Sequence, residues 1–81
     1  IMEQAKYDEM QAMLNKLNDI KNSQDSILDK INHVITDLFN HPDSALEKAM
    51  DAAHERASKS AEAIAEAIEE YEMKFNKAQM A

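Results

Sequence analysis

The side chains able to do chemistry are few and stand apart. The chain has 81 residues, with three histidines and no cysteine. A metal site on a helix needs two ligands at i, i+3 or i, i+4, so that both project from one face. His33, His41 and His54 have no such spacing to one another, and no His-Glu-x-x-His or Glu-x-x-His pattern surrounds them. Without cysteine, disulfides and thiolate metal sites are excluded. Ser23, Ser26, Ser44, Ser58 and Ser60 have no histidine and acid spaced to activate a nucleophile. A phosphate-cradling loop needs glycine, and there is none. The carboxylates recur at helical spacing on a wet face, where nothing tunes one of them to act as an acid or base. The expectation is a protein that is not an enzyme and has no cofactor and no metal.

Three features remain that could recognise something. Gln24 interrupts an otherwise apolar series. Glu47, Asp51, Glu55, Glu62, Glu66 and Glu70 form a ridge, a solvated face or a strip for a basic protein partner. Glu55 with Lys59 and Glu70 with Lys74 partly compensate it at i, i+4. Five of the six methionines and three of the four aromatic residues lie near the two termini. Methionine adapts to irregular surfaces, and aromatic rings anchor interfaces or fill cores. The net charge of −7 offers no basic patch, so nucleic acid is not an expected partner. No apolar run approaches the length of a membrane span, and the acidic balance disfavours an anionic bilayer surface. No leader is visible, and Met2 reads as a native start with Ile1 added ahead of it. The sequence does not fix the compartment; the cytoplasm is the expected one, with leaderless secretion as the alternative.

The elements that must position these residues are helices. Zero glycines and one proline nearly exclude a sheet with tight turns. Alanine, glutamate, lysine, methionine, leucine and glutamine lose least on entering a helix. The one strong break is Asn40-His41-Pro42-Asp43-Ser44. Pro42 cannot continue a helix and pushes His41 out of helical geometry. Asn40 suits a left-handed terminator, and Ser44 with Glu47 has the pattern of a capping box, with Asp43 the competing cap. The spacing predicts an all-α single domain: a helix over about 3–39, a turn at 40–43 and a second helix over about 44–79, folded as an antiparallel hairpin.

On the first arm, Met10, Met13, Leu17, Ile20, Gln24, Ile27, Ile31, Val34 and Leu38 step by three and four, as a coiled-coil seam does. Leu14, Leu28 and Ile35 widen this seam on one side and are expected to stay wet in an isolated hairpin. The second arm carries Leu46, Met50, Ala53, Ala57, Ala61, Ile64, Ile68, Tyr71 and Phe75, with alanine in its middle. With position i facing roughly 82 − i, Gln24 falls near Ala57, Ser58 and Ser60, where it either forms a polar layer that fixes register or is a partly exposed glutamine tolerated opposite small side chains.

Two arms alone form a ribbon with an open side. The expected solution is a homodimeric four-helix bundle, with Met10, Met13, Leu14, Leu17, Ile20, Gln24, Ile27, Leu28, Ile31, Val34, Ile35, Leu38, Ile64, Ile68, Tyr71 and Phe75 as the packing surface. The alternative is an adaptor, chaperone or inhibitor that holds a helix of another protein. In size and equal arms the chain resembles the helical hairpins of specialised bacterial secretion: the tryptophan-x-glycine secreted proteins, and the type III needle proteins with their chaperones. That likeness is architectural. The chain has neither tryptophan nor glycine, and Tyr71-Glu72-Met73-Lys74-Phe75 lacks the acidic residue that exported members carry four positions after the tyrosine.

Overall fold

The computed structural model describes residues 2–80. The residue expected as an addition ahead of Met2 lies outside this range. Among the described residues the fold is two helices, α1 (Gln4–Asp37) and α2 (Ser44–Met80), packed against each other with no strand. They form a rod of 59 × 15 × 12 Å. Its length is that of a 34-residue and a 37-residue helix laid side by side at 1.5 Å per residue.

The ends of the helices are set by local chemistry. The Glu3 carbonyl accepts the first helical bond, from the Tyr7 N–H at 3.0 Å, without a side-chain cap. At the other end α1 stops at Asp37, two residues before the expected limit. No described residue has positive φ, so Asn40 is not a left-handed terminator. The chain instead tightens as it leaves: Phe39 N–H donates to the Thr36 carbonyl and Asn40 N–H to that of Asp37, each at 3.1 Å. Bonds of this i→i−3 kind satisfy terminal carbonyls without the strain of left-handed backbone at a residue that has a Cβ. Asp43 caps α2. Its Oδ1 accepts the Leu46 N–H at 3.0 Å, and its carbonyl accepts the Glu47 N–H at 2.9 Å. Asp43 wins over Ser44 because Pro42 holds the preceding backbone extended and places Asp43 at the cap position.

The packed stripes follow a heptad on each helix. On α1 it runs through Tyr7, Met10, Leu14, Leu17, Gln24, Leu28, Ile31, Ile35 and Leu38, all buried or half-buried. On α2 it runs through Met50, His54, Ala57, Ala61, Ile64, Ile68, Tyr71, Phe75 and Ala78. The tightest part is the terminal end. Met10, Leu14 and Phe75 are buried there, and Met2, Tyr7 and Tyr71 pack around them. The rings of Tyr7 and Phe75 sit 5.1 Å apart at 48°, within the spacing aromatic pairs favour. Among the described residues Ile68 is the fourth buried apolar one, and no side chain is fully covered.

Two outcomes follow for thermal or urea unfolding followed by circular dichroism. Asp43→Ala lowers stability by about 1 kcal/mol, the worth of an N-cap, while Ser44→Ala changes it by less than about 0.5 kcal/mol. Phe75→Ala lowers it by about 3 kcal/mol, whereas Met73→Ala, on the outer face, leaves it within about 0.5 kcal/mol.

Candidate functional site

The α1 heptad that packs is displaced from the one expected. Met10, Leu17, Gln24, Ile31 and Leu38 belong to both. Between them, Leu14, Leu28 and Ile35 turn inward, with Leu14 only 6% exposed. Met13, Ile20 and Ile27 are left 45%, 43% and 50% exposed, and Val34 is half-buried. The expectation that Leu14, Leu28 and Ile35 stay wet is therefore corrected: the apolar stripe of α1 is wider than α2 can cover, and its other edge is the wet one. Lys21 takes a position on the packed heptad; its ammonium leaves the seam and meets Asp25 at 3.2 Å. A long aliphatic stem with a charged tip makes this possible.

The uncovered edge of α1 lies on the same side of the rod as one edge of α2. Two antiparallel helices are related by a two-fold perpendicular to both, which keeps equivalent heptad positions on one side. Phe39 follows Leu38, and Asp51 follows Met50. As this rule requires, the two residues share a cleft of about 90 Å³ with Ile35, Leu38 and Glu47. By the same rule the residues at seven-residue spacing just before Tyr7, Leu14, Leu28, Ile35 and their α2 equivalents share the opposite side. They are Met13, Ile20, Ile27 and Val34 on α1, with Leu46, Ala53, Ser60 and Ala67 on α2, and both rows end in a lysine, Lys6 and Lys74, at the terminal end. The result is a two-sided rod. One face carries bulky apolar residues on α1 and, beyond Leu46, small ones over the middle of α2. The other carries Gln11, Asn18, Asp25, Asn32 and Phe39 on α1 and Asp51, Ser58, Ala65 and Glu72 on α2. An apolar row from Met13 to Val34, about 32 Å at 1.5 Å per residue, covers about half of the rod and is unusual on a stable monomer.

Gln24 lies where the register predicts. Its Nε2 donates to Ser60 Oγ at 2.6 Å, bridging the two helices near their middles. Its Oε1 is covered and has no hydrogen-bond partner. An orphaned buried acceptor costs about 1–3 kcal/mol, which the amide sets against its bond to Ser60.

The other expected residues divide by end. Tyr71, Phe75 and Met10 belong to the hairpin's own terminal core, and Ile64 and Ile68 to its seam. Met73 and Met80 stay exposed. Glu55 pairs with Lys59 at 3.3 Å, and His33 Nε2 lies 3.8 Å from Asp29 on a wet face. His54 stands in the seam, which strict three–four stepping back from Ala57 would have indicated. Phe39, 81% exposed beside the turn, was not singled out by the sequence pattern, because a lone aromatic at a helix end has no periodic signature. Among the described residues no group of three or more His, Asp or Glu is placed to hold a metal ion, and no helix is long and apolar enough to cross a membrane.

Gln24→Leu is expected to raise the urea midpoint, by up to about 1–3 kcal/mol in stability, because it removes the orphaned oxygen and fills the seam with a methyl-bearing side chain. A lowered midpoint would show the Gln24–Ser60 bond to outweigh that cost. No protein-family model matches the chain, and neither a curated protein nor a solved structure gives a significant match.

Proposed function

We propose that this chain is a non-enzymatic assembly module that works by packing its open apolar face against a second copy of itself. The observation that carries this is the row of Met13, Ile20 and Ile27, each nearly half exposed, at seven-residue spacing on one side of the rod. Such a row is what a helix presents to another helix.

The surface of the hairpin supports the same reading. It exposes 6216 Å² for a mass of 9.2 kDa. A compact monomer of that mass exposes about 4,900 Å². The radius of gyration is 18.2 Å, against about 12 Å for a compact chain of this length. The excess of about 1,300 Å² exceeds the roughly 800 Å² per partner hidden in a standard interface. One broad side of the rod, 59 Å by 15 Å, is about 900 Å², enough for such an interface. The gain comes from removing apolar surface from water, at about 25 cal/mol per Å², less the cost of bringing two chains together.

A second reading has one observation in its favour. Phe39 stands exposed at the rim of the cleft that also holds Glu47 and Asp51, an apolar and acidic combination suited to a lysine- or arginine-bearing helix of another protein. This would make the chain an adaptor or chaperone, with the turn end rather than the long face as its contact.

Sedimentation equilibrium separates the two. Self-assembly requires a mass of about 18 kDa, twice that of the chain, and a monomer in the Ile20→Glu, Ile27→Glu double variant with its helical circular dichroism retained. Placing a charge at each of two central positions of an apolar interface leaves it buried and unpaired, which abolishes association. A native chain that stays monomeric and cooperatively folded at micromolar dilution overturns the assembly reading.

A further inference from the structure

The two helices contribute unequally to the open face, and the inequality selects one way for two copies to meet. α1 offers Met13, Ile20, Ile27 and Val34, all bulky. Across the middle of the rod α2 offers Ala53, Ser60 and Ala67, all small. Two copies packed face to face have a two-fold axis lying in the interface, either along the rods or across them. An axis across the rods sets α1 on α1 and α2 on α2, so bulky residues crowd bulky ones while a gap opens over the small ones. An axis along the rods sets α1 on the second copy's α2, so bulk meets hollow over the middle of the rod, at Ile20 and Ile27. Close packing needs the second arrangement, in which large and small residues alternate across the contact.

The register of the hairpin makes the fit specific. The Gln24–Ser60 bond puts position i of α1 level with roughly 84 − i of α2. A two-fold along the rods preserves these levels between copies. Ile20 then comes level with Ile64, which places it between Ser60 and Ala67 of the facing α2. Ile27 comes level with Ala57, between Ala53 and Ser60. Each bulky side chain enters the space between two small ones one heptad apart, which is the knob-and-hole relation of packed helices. The polar Gln24–Ser60 layers of both copies fall at one level, so a slip of one heptad would set hydroxyl and amide groups against apolar neighbours.

Resting on the reading of the chain as self-assembling, we infer that two copies form a parallel pair of hairpins, with both turns at the same end and each α1 seated on the small-residue face of the other's α2. The occupant of the face is thus a second copy in one orientation. The broad side that bears the face is large enough to hide the area a stable dimer needs, and over its middle the two rows are complementary to each other in side-chain size.

The absence of cysteine makes the test direct. His41→Cys, at the turn, and Ala5→Cys, near the open end, are both exposed and can each be spin-labelled for pulsed dipolar distance measurement between copies. The parallel pair gives short distances at both positions, below about 30 Å, or some two to three helix diameters. A long distance at both, approaching the 59 Å of the rod, means antiparallel hairpins and overturns the orientation while leaving self-assembly intact. A short distance at residue 41 with a long one at residue 5 means arms opened at Pro42 and exchanged between chains, which also overturns it. No dipolar coupling, together with a monomeric mass, overturns the assembly reading itself and this inference with it.

Discussion

A pair of helices in contact can hide only one narrow stripe on each, and everything distinctive about this chain follows from that limit. The contact surface of two cylinders is a line with side chains on either side of it. Here α1 carries a stripe three residues wide per heptad, while the stripe of α2 thins to alanine over its middle. The pairing therefore closes on one edge of the α1 stripe and leaves the other in water. No rotation of α1 removes the excess, because turning Met13, Ile20 and Ile27 inward would turn Leu14, Leu28 and Ile35 out.

The packing is also graded along the rod. At the terminal end large residues fill the seam, and Met10, Leu14 and Phe75 are buried with Tyr7 and Tyr71 beside them. In the middle, Ala57 and Ala61 let the backbones approach but remove little area from water, and the polar bridge from Gln24 to Ser60 replaces apolar contact there. At the turn, Phe39 remains largely uncovered and Leu46 partly so. Apolar burial in the hairpin thus concentrates at the end far from the turn, where the contacts close the longest loop and meet the largest closure entropy. The weakly held middle is flanked by Ile20 and Ile27, which are exposed on the same face as Ser60.

Ion pairs play a small part. Lys21 with Asp25 and Lys59 with Glu55 are exposed pairs one turn apart on single helices. Such pairs add a few tenths of a kcal/mol each to helix formation and are screened by salt. The side chains that decide how the helices meet are apolar or, at Gln24, uncharged.

Much of this was legible in the residues. The absence of glycine and the single proline determined two helices and one break. Three–four stepping determined which helix faces are apolar, and the register around Pro42 brought Gln24 to Ser60. These are properties of a chain with 3.6 residues per turn, and they need no partner to be expressed. The terminator at Asn40 and the cap at Ser44 were not decided this way, because competing local bonds from Thr36, Asp37 and Asp43 differ by small energies that the full turn geometry settles. The choice between two overlapping heptads on α1 was likewise tertiary. Met10, Leu17, Gln24, Ile31 and Leu38 are common to both, and strict apolar count favours Ile20 over Lys21. Only the rotational setting of α2, imposed by a turn of six residues between Asp37 and Ser44, brings Leu14, Leu28 and Ile35 into the seam. A helix pattern specifies a face to within one neighbouring row of side chains, and the direction from which the second helix arrives decides the row.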